Sequence, residues 1–136
     1  MLIFRCIDIF KYLPTYRINQ RLKALSEEKN ILDYRVRVLE ALSDPIRLKI
    51  VNLLKERERC VCEIIPIFGR SQSTISKHLD ILHRVGILDR RFENKRTIYS
   101  IDNPQVFNIL KELDAFVLNQ ISSLTKTVKV LEASTH

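Results

Sequence analysis

The chain contains little glycine and proline, with two and four of them among its 136 residues. Flexible linkers are rich in these residues, so their scarcity argues against a long flexible connection between folded domains. The sequence also has no glycine-rich phosphate loop and no internal repeat. We therefore expect one compact domain, because a chain of this length with 46% hydrophobic residues is able to bury a core.

Cysteines and long apolar runs are also scarce. Three cysteines are too few for the disulfide framework of a small secreted protein. No apolar run is long enough to cross a membrane, and the opening segment LIFRCIDIF is interrupted by Arg5 and Asp8, which argues against a signal peptide. We expect a cytoplasmic protein with no membrane partner. Its net charge of +7 favours an anionic partner, and nucleic acid before membrane.

A helix-turn-helix is predicted between residues 61 and 86. Gly69 ends a short apolar helix at Phe68, and Ser71 has the hydroxyl side chain expected at the N-cap of the next helix. Apolar residues at three- and four-residue steps then give this second helix one buried face, and Gly86 ends it. The predicted buried stripe comprises Ile75, Leu79, Leu82 and Val85.

The opposite face of this helix has side chains that suit contact with DNA. Short hydroxyl and amide groups approach base edges and phosphates without steric conflict. A helix that enters the major groove N-terminus first needs such groups in its first two turns. The candidate DNA-binding residues on this helix are Ser71, Gln72, Ser73, Thr74, Ser76, Lys77 and His78.

After Gly86 the pattern changes from helical to extended. Residues 87–92 and 96–101 are two short runs rich in Ile, Thr, Tyr and Phe, joined by the polar turn 93–95, which predicts a β-hairpin. A solvated basic surface would have a similar composition, but the position beside a polar-faced helix favours a wing that neutralises DNA phosphates. The predicted wing cations are Arg90, Arg91, Lys95 and Arg96.

Two more helices are predicted before the cysteine pair, and the second of them ends among residues 55–59. Asp44 and Pro45 have the N-cap and first-turn chemistry of a helix start, and another apolar pattern spans residues 31–42. Both stripes are expected to face the same core. They comprise Val38, Leu39 and Leu42 in the first helix and Ile46, Ile50, Leu53 and Leu54 in the second.

The C-terminal part is predicted to form one long helix after Asn103 and Pro104. Its apolar stripe is roughly twice as long as a mean helix. Such a stripe either packs on its own domain or, as its length favours, forms a two-fold interface together with the segment near Ile31. The predicted interface residues are Val106, Leu110, Leu113, Val117, Ile121 and Leu124, and the stripe continues through Val128 and Leu131.

These patterns predict a mainly α-helical fold with a small β-hairpin, that is, a winged helix-turn-helix that assembles as a homodimer. The predicted organisation is an N-terminal extension over residues 1–30, a winged domain over residues 31–132 with dimerisation helices at both ends, and a tail over residues 133–136.

From about Ala41 to Ile101 the sequence resembles the ArsR–SmtB family of winged-helix metalloregulators. The matching segments are ALSDPIRLKIVNLL, CVCEI, SQSTISKHLDIL, VGIL and the hairpin, all in the order typical of that family. Each is weak alone, but together they are specific. The resemblance implies a homodimer that binds a palindromic double-stranded operator and represses resistance or homeostasis genes until an inducer binds. It also implies that residues 71–78 face bases and phosphates and that the hairpin is the wing.

Cys60 and Cys62 begin the helix that precedes the predicted recognition helix. Arg57, Arg59 and the helix N-terminus favour thiolates there, and soft thiolates suit soft ions. Residues two apart on an ideal helix point about 200° away from each other, so both sulfurs bind one ion only at a distorted helix end. The resemblance implies that this pair corresponds to the arsenic- and cadmium-sensing thiol site.

Trigonal thiolate binding needs a third ligand. Ile65 stands where some arsenic-sensing relatives have a third cysteine. Cys6 resembles the N-terminal cysteine that joins the pair in the cadmium- and lead-sensing branch, although Phe10 stands where a second one is common; otherwise Cys6 is a small buried apolar residue. The implied inducer is arsenic(III) or antimony(III), or cadmium, lead or bismuth, and no organic cofactor is implied.

Two other classes of function are compatible with three cysteines. In a thiol redox sensor, Cys60, Cys62 or Cys6 is oxidised and DNA is released without any metal. An enzyme would need a nucleophile with a matched base and an orienting group, and the sequence shows none. A redox sensor therefore remains the alternative, and catalysis is not expected.

Overall fold

The computed structural model describes residues 21–23 and 31–135, which form two units divided after Pro45. The first unit contains the helical residues 21–23 and helix α1 (Ile31–Leu42). The second unit contains, in chain order, α2 (Pro45–Glu56, whose first residue closes the first unit), β1 (Arg59–Cys60), α3 (Val61–Phe68), α4 (Gln72–Arg84), β2 (Leu88–Glu93), β3 (Arg96–Ile101) and α5 (Gln105–Ser134). The prediction of a mainly α-helical fold with a small hairpin is confirmed.

Helix α1 buries only the C-terminal end of its predicted stripe. Leu42 is buried and Val38 is half-buried, as expected, and Ala41 is also buried. Leu39 is 61% exposed, so its assignment to the core is wrong. It follows Val38 by one residue, which turns its side chain about 100° around the helix and out of the buried face.

The core of the second unit takes one apolar face from each helix. The stripe predicted for α4 is confirmed, with Ile75, Leu79 and Leu82 fully buried, while Val85 is a half-buried C-cap. In α2 the predicted residues Ile50 and Leu54 are buried, Ile46 and Leu53 are only half-buried, and Val51, which was not predicted, is also buried. The remaining core residues are Ile50, Leu54, Cys60, Ile64, Ile87, Leu88, Tyr99 and Val106.

Leu79 is expected to be a major source of stability because its side chain is fully buried. Replacing Leu79 with alanine should leave a cavity and lower the free energy of unfolding by about 2–5 kcal/mol. Urea unfolding followed by circular dichroism, at one fixed protein concentration, measures this change. Lys77→Ala on the exposed face of the same helix is the control, and we expect it to stay within about 0.5 kcal/mol of the unaltered chain. A loss for Leu79→Ala no larger than that of the control would contradict the packing described here.

The three strands form one antiparallel sheet in the order β1-β3-β2. The hairpin was predicted, but the turn is tighter than expected, because Glu93 still pairs with Arg96 and only Asn94 and Lys95 connect the strands. Both turn residues have positive φ, at 50° and 62°, as a two-residue hairpin turn of the right twist requires. Strand β1 was not predicted, and its Cys60 pairs with Ile98 of β3.

Helix α5 has buried or half-buried side chains only in its first two turns. The Asn103 side chain accepts a hydrogen bond from the Gln105 N–H at 3.0 Å, Val106 is buried, and the Lys55 ammonium lies 5.2 Å from the centre of the Phe107 ring. From residue 111 to residue 135 every side chain is exposed. The helix also continues through residues 133 and 134, which the sequence assigned to a tail. Among the described residues, no helix combines the length and apolar character needed to span a lipid bilayer.

Candidate nucleic-acid interface and thiol site

Gly69 and Ser71 fix the turn that orients α4. Gly69 ends α3 in the left-handed conformation with φ of 57°, where a side chain would be strained. Ser71 is the N-cap, as predicted, with extended backbone angles and an Oγ that accepts from the Thr74 N–H at 3.3 Å. The same Oγ lies 2.8 Å from Thr74 Oγ1. The first turn of α4 is therefore held by its own side chains and faces solvent.

The predicted DNA-binding residues of α4 lie on the solvent side of the helix, with different degrees of exposure. Ser71, Gln72, Ser73 and Lys77 are exposed, whereas Thr74, Ser76 and His78 are half-buried. His78 Nδ1 lies 3.2 Å from Arg47 Nη1 on α2, so its ring bridges two helices of the domain. Among these predicted residues, the ones most open to a partner are accordingly those at the start of α4, together with Lys77.

The four predicted wing cations divide into two groups. Lys95 and Arg96 are exposed, and neither makes an ion pair within the described part of the chain. Arg90 Nη1 lies 3.5 Å from Oδ1 of Asp80, and the other carboxylate oxygen of Asp80 lies 2.7 Å from Arg84 Nη2. The tip of the wing thus offers unneutralised charge, whereas its base is paired with acidic residues.

Arg91 departs from the prediction of a free wing cation. Its Nη2 donates to Glu58 Oε1 at 2.6 Å, its Nη1 donates to Glu58 Oε2, and its Nε donates to Glu93 Oε2 at 3.0 Å. These hydrogen bonds lower the pKa of the Glu58 carboxyl and raise the pKa of the Arg91 guanidinium. The charge of Arg91 is therefore neutralised by two carboxylates in this structure.

Sequence reasoning missed Arg70 as a candidate for contact with DNA. It directly precedes the N-cap Ser71, its side chain is exposed, and it makes no ion pair among the described residues. A cation at the N-terminus of a recognition helix stands where the flanking phosphates of a major groove would lie. Its position beside the N-cap was the signal available in the sequence.

Cys60 and Cys62 meet because Cys60 is not part of the helix. Cys60 is the last residue of β1 and the N-cap of α3, with φ of −66° and ψ of 149°. Its Sγ accepts a hydrogen bond from the Cys62 N–H at 3.1 Å, and the structure joins the two sulfurs in a disulfide. The sequence pointed to two separate thiolates, and the structure instead brings the two sulfurs together as a disulfide pair. The extended backbone at Cys60 removes the 200° separation expected for an ideal helix.

Glu63 completes a capping box with the same cysteine. Its Oε2 accepts from the Cys60 N–H at 2.9 Å, and its Oε1 accepts from Arg57 Nη2 at 3.0 Å. The Arg57 guanidinium and the Cys60 N–H hold the pKa of the Glu63 carboxyl below its usual range. Because this pKa is lowered, the stabilising contribution is present at neutral pH and is lost only as the pH falls through the lowered value.

The two arginines beside the thiol pair both contact acidic residues. Arg57 binds Glu63, and Arg59 Nη2 lies 3.2 Å from Glu56 Oε2. Each of the two arginines is therefore paired with a carboxylate, which weakens the effect of its charge on the sulfurs. The position at the N-terminus of α3 favours thiolates independently of these pairs.

One cleft of about 710 Å³ joins the thiol pair to the surface predicted to contact DNA. Its walls are the start of α3, the first two turns of α4 and the hairpin. The residues that line it are Cys60, Val61, Cys62, Ile65, Gln72, Ser76, Arg90, Arg91, Phe92, Lys95, Arg96, Thr97 and Tyr99. A change in the state of the sulfurs therefore takes place inside the surface that would face DNA.

Comparison with known proteins decides the family. Residues 44–90 match the family model described as bacterial regulatory protein, arsR family. The chain is 35% identical over 102 residues to a cadmium resistance transcriptional regulatory protein CadC homolog of Staphylococcus aureus. The matched residues make up 74% of this chain and 83% of that protein. The chain belongs to the arsR family. This ArsR-family chain is a transcriptional regulator and not an enzyme.

Solved structures agree with the winged helix-turn-helix architecture. The homodimeric winged helix-turn-helix DNA-binding domain of Mb0332 from Mycobacterium bovis, a possible ArsR-family transcriptional regulator, matches with a TM-score of 0.60 at 29% identity, over 68% of this chain and 86% of that one. Reduced HlyU from Vibrio cholerae matches with a TM-score of 0.55 at 29% identity, over 68% and 96%. The predicted winged helix-turn-helix is confirmed.

The donor set of this ArsR-family chain suits a soft ion only in part. In the residues that the structure describes, no group of three or more histidine, cysteine, aspartate or glutamate side chains is arranged to hold a metal ion. Cys60 and Cys62 present two sulfurs on one side of a helix start, which fits two ligands of a soft ion once both are reduced. Cys6, the predicted third ligand, lies outside the described residues.

Proposed function

We propose that this ArsR-family protein is a cytoplasmic repressor that binds a palindromic double-stranded operator as a homodimer and leaves it when a soft metal or metalloid ion binds its thiolates. Cys60 and Cys62 supply two of the ligands and Cys6 the third. The observation that carries the proposal is the cleft that Cys60 and Cys62 share with Gln72, Ser76 and the wing. An ion bound there alters the surface that contacts DNA without any distant relay.

Contacts with bases and contacts with phosphates fall to different residues in this proposal. The exposed amide of Gln72 and the neighbouring hydroxyls of α4 approach base edges in the major groove. Cations without an ion pair in the described part of the chain bind phosphates. The phosphate-binding set is Arg70, Lys77, Lys95 and Arg96, joined by Arg90 and Arg91 when their carboxylate partners release them.

Lys95 and Gln72 are expected to respond differently to mutation. Lys95→Gln removes one phosphate contact from each wing, so the slope of log affinity against log salt should fall by about 0.9 per contact, equally for specific and unrelated DNA. Gln72→Ala should instead lower affinity for the operator alone, by roughly 1–3 kcal/mol of discrimination. Fluorescence anisotropy with operator and scrambled duplexes, over a salt series, separates the two effects. Loss of operator preference in Lys95→Gln with an unchanged slope would contradict these roles.

Helix α5 is the proposed centre of the homodimer. Its apolar stripe beyond residue 110 is 45–65% exposed in the single chain, over a helix of 30 residues. A long bare stripe of this kind is covered by a second helix, and the matched domain of Mb0332 is homodimeric. The proposed interface residues are Leu110, Leu113, Val117, Ile121 and Leu124. Val106 was also predicted for the interface, but only 3% of it is exposed in the single chain, so its side chain packs in the core of its own unit and it is left out of the proposed interface.

The chemical class of the proposed ion follows from the donor atoms. Two or three thiolates suit lead, bismuth, cadmium, arsenic(III) or antimony(III), whereas structural zinc prefers four ligands. The Staphylococcus aureus relative is named for cadmium resistance, which supports an ion of this class. For a useful switch the ion must favour the DNA-free form by about 1–3 kcal/mol, which corresponds to a 5–150-fold loss of operator affinity.

A second candidate, thiol oxidation, is favoured by one specific observation. The described structure joins Cys60 and Cys62 in a disulfide. Peroxide would convert the two thiols to that disulfide, taking up their two electrons and two protons to give two waters. One matched structure is named as the reduced form of HlyU from Vibrio cholerae.

Release of the gene's own upstream DNA tests both candidates. Binding is followed by fluorescence anisotropy, first under anaerobic reducing conditions with lead, cadmium, arsenic(III), bismuth or zinc, and then with peroxide in the presence of a chelator. Release by a soft ion but not by zinc supports the metal-responsive repressor. Release by peroxide alone supports the oxidation sensor. Tight binding that none of these reagents changes would rule out both.

A further inference from the structure

Glu58 connects the segment before the thiol pair to the wing. It lies two residues before Cys60, and its carboxylate binds both terminal nitrogens of the Arg91 guanidinium, 33 positions along the chain. Glu93 holds the remaining Nε of the same arginine. About half of each side chain in the Glu58–Arg91 pair is exposed, so the pair lies at the surface where a phosphate would approach.

The sheet connects the same two regions a second time. Cys60 in β1 and Arg91 in β2 both pair with Ile98 of the central strand β3. A displacement of β1 would therefore reach the wing through the backbone pairing of the sheet, and Arg91 through Glu58, which directly precedes β1. Both Cys60 and Arg91 also line the cleft described above.

We propose that Glu58 is a positioning residue that withholds Arg91 from DNA when Cys60 and Cys62 are drawn together and releases it when they are apart. The proposal deepens the proposed function and rests on it. Glu58 occupies the fork formed by the two terminal nitrogens of Arg91 and Glu93 occupies its Nε, so a phosphate that is to be bound by two parallel hydrogen bonds has to displace one of these carboxylates. Because the described structure has the sulfurs joined and Arg91 bound to Glu58, it represents the withheld form.

The salt dependence of operator binding measures whether Arg91 contacts a DNA phosphate. Each phosphate contact contributes about 0.9 to the slope of log affinity against log salt, so losing Arg91 from both wings of a dimer lowers the slope by about 1.8. The operator affinity of the reduced, ligand-free form divided by that of the form with ligated or oxidised thiols should then fall about twelvefold as salt rises from about 50 to about 200 mM. A role of Glu58 in folding alone would not produce this dependence.

The experiment compares four forms of the full chain, each reduced, lead-bound or peroxide-oxidised. In the unaltered chain the slope should decrease when the thiols are ligated or oxidised. In Glu58→Gln it should stay high in every state, and in Arg91→Gln it should stay low in every state. Glu56→Gln is the control, because it removes the same charge from a carboxylate that binds Arg59 instead of Arg91.

The outcomes separate this inference from the proposed function. If Glu58→Gln or Arg91→Gln shows the same ligand-dependent change of slope as the unaltered chain, the role of Glu58 is wrong. Release of operator with an unchanged slope in the unaltered chain would likewise overturn it and leave the repressor proposal intact. If lead, cadmium, arsenic(III), bismuth and peroxide all leave affinity and slope unchanged in the unaltered chain, both proposals fail.

Discussion

Replacing Cys60 with serine is expected to abolish release of the operator by the inducer. With inducer present, the variant should therefore bind the operator about 5–150-fold more tightly than the unaltered chain does. The affinity of the ligand-free protein for its operator should stay nearly the same. Serine is a good N-cap, so its Oγ is able to replace the sulfur that accepts from the Cys62 N–H at the start of α3. The substitution therefore removes the soft ligand and the disulfide but keeps the helix start.

Two further variants make this result specific. Cys62→Ser removes the other sulfur without changing the N-cap residue and should give the same loss of induction. Cys6→Ser then shows whether the third cysteine takes part, because induction should weaken only if Cys6 is a ligand. Operator release by lead or peroxide in Cys60→Ser, at the concentrations effective for the unaltered chain, would contradict the account.

Replacing Ile121 with glutamate is expected to dissociate the dimer and lower operator affinity by about 100-fold or more, since two linked half-site contacts become one. Ile121 lies in the middle of the exposed apolar stripe of α5, where 54% of its surface is open in the single chain. In a dimer this position would be buried, and an unpaired carboxylate there costs several times more than the contact it replaces.

Sedimentation velocity at micromolar protein, with anisotropy on the same samples, measures both effects. Asn119→Glu is the matched control, because this exposed residue lies two positions before Ile121 on the opposite side of α5 and receives the same charge. We expect Asn119→Glu to remain a dimer. A dimer of Ile121→Glu with full operator affinity would place the interface elsewhere.

The local features of the recognition helix could be read from the sequence because neighbouring residues determine them. Gly69 and Ser71 specify the end of one helix and the start of the next through backbone conformation and a single hydroxyl. The buried stripe of α4 follows from helical periodicity, and the hairpin follows from β-prone runs on either side of a polar turn. Each of these features is determined by a few neighbouring residues, so contacts between distant parts of the chain do not change it.

The features that could not be predicted depend on contacts between distant residues. Strand β1 has two residues and no periodicity, and it forms only because β3 supplies hydrogen bonds from residues 98 and 99. The extended conformation of Cys60, which brings the two sulfurs together, follows from that pairing. The pair of Arg91 with Glu58 joins positions 33 residues apart, so no local pattern could set Arg91 apart from the other wing cations.

Control of DNA binding by the thiol pair is tested most directly by an anaerobic titration of the reduced protein–operator complex with lead, in which DNA anisotropy and the near-ultraviolet absorption of lead–thiolate bonds are recorded together. We expect absorption and operator release to rise together, to saturate at the same ratio of lead to protomer, and both to be lost in Cys60→Ser. Saturating lead–thiolate absorption while the operator stays bound would rule out this control, because the thiol pair would then bind the ion without releasing DNA.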